Sequence, residues 1–205
     1  MYITANIPDI VLVDRSVLRA IIVDITIPHD DNLVKAEKEK LDYTVNFDSP
    51  IYVCPDEDSQ GYVDASQVQV KRHNETATIM TGVIKFLKGF EKDTMIEFIA
   101  EKDTGGSYEM VVSHEICDVC GELQNPESAY AGYLPYFGFP DLCPFEPNNY
   151  IIKDLVADSQ DVPLNSAMAG RYQVTLNMYK NTDGQCLDDK IFIACLKLDF
   201  LVEAI

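Results

Sequence analysis

The residues best placed to do chemistry are a short cluster of soft ligands: His114, then the pair Cys117-x-x-Cys120, then Cys143. Four nitrogen and sulfur ligands can hold a tetrahedral zinc ion, and a Cys-x-x-Cys pair can exchange disulfides when its surroundings stabilise the thiolate. The second close cysteine pair of a zinc knuckle is missing, however, and no βαβ context surrounds Cys117 and Cys120. All six cysteines, Cys54, Cys117, Cys120, Cys143, Cys186 and Cys195, lie beyond residue 53. An even number spread through strand-rich sequence reads as disulfides formed in an oxidising compartment. The sequon Asn74-Glu75-Thr76 points the same way and makes Asn74 a candidate glycosylation site.

Other catalytic constellations are missing. His29, His73 and His114 are scattered, no Gly-x-Ser-x-Gly elbow or Gly-rich phosphate loop occurs, and no two acids are singled out as an acid and base couple. The expectation is therefore a non-enzyme, with no catalytic residues, no cofactor and no metal. Lys and Arg number 16 against 34 Asp and Glu, a net charge of −18, so bringing the surface to nucleic acid or an anionic membrane would crowd like charges together. No apolar run approaches the roughly 20 residues of a membrane-spanning helix. Asp9, Asp14, Arg15 and Arg19 interrupt the start, so no signal peptide is read there.

The elements that must position these residues are strands. Residues 66–72 alternate around Val68 and Val70; residues 76–87 make a second strand with Gly82 as a bulge or close-packing point. Residues 94–101 put Ile96, Phe98 and Ala100 on one side. After the turn Asp103-Thr104-Gly105-Gly106, Tyr108, Met110 and Val112 face one way. Residues 113–121 read as one or two helical turns, with Ile116 and Cys120 on a shared face. Tyr150, Ile151 and Ile152 open a further strand; beyond Pro163 and Gly170, Tyr172, Val174, Leu176 and Met178 alternate with polar residues. Asn181-Thr182-Asp183-Gly184 turns the chain into a last strand with Phe192, Ala194, Leu196, Leu198, Phe200 and Val202 on one face, a strand that must be central or cavity-lining. Hairpins at this spacing predict an all-β antiparallel sandwich. Before it, residues 1–42 read as an appendage: β-like runs at 10–13 and 20–27, then a charged helical segment from Asp31.

The run CPFEPNNYIIKDL from Cys143, followed by VPLNSAMAGRYQVTLNMY from Val162, resembles insect secreted proteins related to the ganglioside activator and the wider ML lipid-recognition families, over residues 43–205. The resemblance implies an immunoglobulin-like sandwich whose two sheets splay apart to hold an acyl chain. On it, the chain is a secreted, non-catalytic carrier of a small hydrophobic ligand, a lipid, fatty acid or pheromone-like molecule, with contact-chemical sensing among its roles. The lining would come from Ile84, Phe86, Ile96, Phe98, Met110, Leu176, Met178, Leu198 and Phe200. The aromatic, Gly- and Pro-rich stretch with Tyr130, Tyr133, Tyr136, Phe137 and Phe139 would cap the cavity mouth or make transient membrane or receptor contact; the competing reading is a loop folded onto its own aromatics. The resemblance also suggests the bridges Cys54–Cys195 and Cys117–Cys143, leaving Cys120 with Cys186. The alternative function is an extracellular interaction or structural sandwich with a filled core.

Residues 1–42 resemble the tail of insect non-LTR retrotransposon polyproteins, whose restriction-like endonuclease carries a Pro-Asp and a second Asp 12 to 14 residues on. Asp9 and Asp24 would match its metal-binding carboxylates. The match ends near Asp42, before a sheet able to aim both acids at one ion could form, so a nuclease remnant is the remote alternative. A retroelement segment in place of the start of a secreted protein is the reading that joins the two resemblances.

Overall fold

The computed structural model describes residues 43–128, 134–140, 143–157, 164, 166–181, 186 and 189–205. The N-terminal appendage with Asp9 and Asp24, the loop residues Tyr130 and Tyr133, and most of the Asn181–Gly184 turn lie outside the described residues.

Where the sequence alternates, the chain pairs. Among the described residues nine strands result: β1 Tyr43–Phe47, β2 Tyr52–Val53, β3 Val63–Arg72, β4 Thr78–Phe86, β5 Thr94–Asp103, β6 Tyr108–Ile116, β7 Asn148–Val156, β8 Gly170–Lys180 and β9 Ile191–Ala204. Three short α-helices accompany them among the described residues, α1 Glu57–Gln60, α2 Val119–Gln124 and α3 Leu134–Phe137. One sheet runs β1-β9-β8-β5-β6, with β2 also on β9; the other runs β3-β4-β7. Every pairing is antiparallel, so the protein is an all-β sandwich of two sheets. The long apolar β9 is an inner strand of its sheet, as its continuous greasy face requires. Among the described residues no helix is long and apolar enough to cross a membrane.

Register carries the inner face across the larger sheet. Phe98 lies opposite Leu176, which lies opposite Leu196; Ala100 lies opposite Val174, which lies opposite Leu198. On the facing sheet Gly82 does what its position predicts. The β4–β7 register shifts between Met80 and Gly82, and φ there is +128°. A Cβ at that point would sit 2.1 Å from the Gln67 carbonyl oxygen, so only glycine allows β3 to approach this closely.

The sheets are stitched along one side. The Phe47 N–H donates to Thr78 Oγ1 at 2.8 Å, the Thr78 N–H donates to Asn46 Oδ1 at 2.8 Å, and Asn46 Nδ2 donates to the Thr76 carbonyl at 3.1 Å. Three disulfides add covalent ties. Cys54–Cys195 joins the start of the sandwich to β9 as expected, with Cα atoms 5.3 Å apart. The other two exchange the expected partners: Cys117 pairs with Cys186 and Cys120 with Cys143. The reason is the position of α2. It starts at Val119, so its first turn presents Cys120 to the chain leading into β7, while Cys117, just past the end of β6, points to the segment entering β9.

Two further expectations change. Residues 113–116 are strand: Ser113, His114 and Glu115 pair with Ile99, Phe98 and Glu97. The four-residue spacing of Ile116 and Cys120 fits a helical face, but Ile116 closes β6 opposite Ile96, and only after the cap Asp118, whose Oδ1 accepts the Gly121 N–H at 2.8 Å, does the helix run. Phe192 also leaves the inner face of β9. A register shift between Met178 and Tyr179 places it opposite Tyr179, where it is 37% exposed and meets that ring edge-on.

Candidate ligand cavity

Between the sheets lies a cavity of about 210 Å³. All the expected lining residues except Met110 line it: Ile84 and Phe86 from the smaller sheet, and Ile96, Phe98, Leu176, Met178, Leu198 and Phe200 from the larger. Their burial is informative. Met80, Ile84 and Phe200 are buried, whereas Ile96, Phe98, Leu176 and Leu198 are only half-buried in the middle of paired strands. Inner-face residues keep such exposure only where the opposite layer does not touch them.

Met110 fails for a reason of phase. The β5–β6 register shifts between Ala100 and Glu101, so Val112 sits opposite the inward Ala100 while Met110 sits opposite the outward Glu101. One bulged residue therefore turns Tyr108 and Met110 to solvent, Met110 to 66% exposure.

One end is closed by aromatic rings. Phe86 meets Tyr62, Phe90, Phe139, Phe145 and Tyr150 edge-on at centroid distances of 6.1, 6.4, 5.8, 6.0 and 5.9 Å. Phe139 stacks on Phe145 at 5.4 Å and on Phe137 at 5.4 Å. Phe137 and Phe139 line the cavity, so these two pack into its end wall, while Tyr136 is 40% exposed. At the other end Tyr172 stacks on Phe200 at 5.0 Å, and the Tyr172 hydroxyl donates to the Met168 carbonyl at 2.8 Å, leaving the ring face to the core.

Glu122 and Leu123 of α2, both half-buried, add to the lining beside Phe137 and Phe139. The Cys120–Cys143 bridge and a hydrogen bond from Gln124 Nε2 to the Cys143 carbonyl at 3.4 Å hold α2 against the chain entering β7. Glu122, Leu123, Val119, Phe90 and Phe145 were not legible as lining. Their signal is tertiary, since Phe90 and Phe145 meet through an isolated bridge between distant loops.

Elsewhere the ionisable groups do structural work. Burial and the nearby Glu91 and Asp93 push the Tyr62 phenol up to about 12, and burial with Asp199 does the same for Tyr52. Both stay protonated at neutral pH; the Tyr62 hydroxyl donates to the Gly89 carbonyl at 2.6 Å. Cys117, Cys120 and Cys143 are held in disulfides and so are not thiolate ligands for zinc. Among the described residues no cluster of His, Cys, Asp and Glu is gathered as a metal site. Asn74 is exposed in the β3–β4 hairpin, its Oδ1 accepting the Thr76 N–H at 2.8 Å.

Fold and cavity together define a disulfide-bridged β-sandwich with an apolar chamber between its sheets. No protein-family model matches the chain, and no curated protein matches it.

Proposed function

We propose that this protein is a non-catalytic carrier that holds a small hydrophobic molecule, of lipid or pheromone type, between its two sheets. The observation that carries the reading is the chamber of about 210 Å³ walled by apolar side chains at the positions where the alternation predicts an inner face. An apolar void of roughly 150 Å³ in another protein stays dry and takes up an apolar guest, because water finds no hydrogen-bond partners there. Each methylene transferred from water contributes about 0.8 kcal/mol. The three disulfides and the exposed sequon at Asn74 support a secreted carrier, and the likeness to the ML lipid-recognition families supports the ligand class.

Native mass spectrometry of protein secreted from a eukaryotic host tests this. A co-purifying apolar mass, released by organic solvent, is the expected result. A bare polypeptide mass that takes up no neutral fluorescent alkyl probe would instead make the chain an interaction module.

A further inference from the structure

We infer that the preferred guest is a hydrocarbon without a polar head, an alkane, an alkene or a small aromatic, held along its whole length between the sheets. The inference rests on the carrier reading and adds the chemical class of the ligand.

The lining surface is apolar almost throughout. Among the described residues that line the chamber, all but Glu122 are Phe, Ile, Leu, Val or Met. Glu122 contributes its methylenes, and its Oε2 accepts a hydrogen bond from Ser128 Oγ at 2.6 Å.

The polar groups closest to this lining are committed elsewhere. Tyr62 and Tyr150 meet the lining residue Phe86 edge-on, and Tyr172 stacks on the lining residue Phe200. Their hydroxyls donate to the carbonyls of Gly89 at 2.6 Å, Glu146 at 2.7 Å and Met168 at 2.8 Å. Burial raises all three phenols above their usual value, so the hydroxyls stay protonated and stay donors. The backbone is occupied as well. β4, β5, β8 and β9, which supply all the expected lining residues that reach the chamber, are inner strands with a neighbour on each side. Their peptide groups point along the sheet to those neighbours, and only side chains face the space between the layers.

A hydroxyl, amine or carboxyl group brought into such a chamber leaves its hydrogen bonds to water behind and finds none in exchange. A hydrocarbon carries no such penalty. The alkyl part gains from leaving water in either kind of molecule, so the head alone decides between them.

Headspace gas chromatography over the folded, fully oxidised chain at pH 7.4, with n-octane and with octan-1-ol, measures both dissociation constants. Octan-1-ol is expected to bind through its chain, at least about tenfold more weakly than n-octane. Leu176→Asn, which sets an amide on the lining, should bring the two within about threefold. A gap below tenfold in the unaltered protein, or tighter binding of the alcohol, would overturn the headless guest and leave the carrier standing. An undiminished gap in Leu176→Asn would also overturn it. Binding of neither would remove both readings. The ranking in the unaltered protein stands as a test even if the variant fails to fold.

Discussion

At the residue scale, single positions set the geometry on which the chamber depends. Gly82 combines φ of +128° with a carbonyl oxygen 2.1 Å from where a Cβ would stand. Gly82→Ala is therefore expected to cost about 2 kcal/mol or more, read as a lower urea midpoint at unchanged slope. Asp56 caps α1: its Oδ1 accepts the Ser59 N–H at 2.8 Å, which holds the carboxyl below its usual range. The Ser59 hydroxyl in turn accepts the Cys195 N–H at 2.8 Å, so the cap reaches the disulfide strand. Because the folded pKa is the lower one, this stabilisation is fully present above the unfolded value, near 4, and is lost as pH falls through the folded one. Asp56→Asn keeps a cap but cannot titrate, so its stability should fall less steeply with acid; an identical acid limb by chemical denaturation would refute the assignment.

At the element scale, the strands were legible because alternation survives wherever one face is wet. The positions Ile96, Phe98, Leu176 and Leu198 were found as an inner face from period alone. What escaped was phase. Bulges after Ala100 and after Met178 each flip the following residues, which is why Met110 and Phe192 lie outside the chamber. A one-residue insertion in pairing leaves no mark on composition. The contribution of α2 to the lining was equally hidden: the helix spans six residues, too short for a helical period to establish, and its place is set by a cap and a disulfide. That bridge encloses a sequence separation of 23. Replacing Cys120 and Cys143 together with Ser should cost about 3 kcal/mol and loosen α2 from β7. Amide exchange should then rise first in Val119–Gln124, and guest release should quicken; uniform exchange across both sheets would contradict a local role for the bridge.

At the scale of the whole molecule, two sheets are joined firmly along the β1–β4 side and propped open by rings at the chamber's ends. A sandwich normally fills the space between its layers to crystal-like density, and a void forfeits packing contacts on its walls. The chamber is thus a stability cost that a guest can offset, so ligand should raise the melting temperature in proportion to its occupancy. The net charge of −18 opposes close approach of two copies.

The most direct test is calorimetric titration with octan-1-ol at two temperatures, on the unaltered chain and on Leu198→Trp, whose indole fills the chamber from β9. One saturable site with a negative heat-capacity change, abolished in Leu198→Trp while that variant remains folded, is the predicted result. No saturable heat, or the same isotherm in both proteins, would show that the space between the sheets takes no guest.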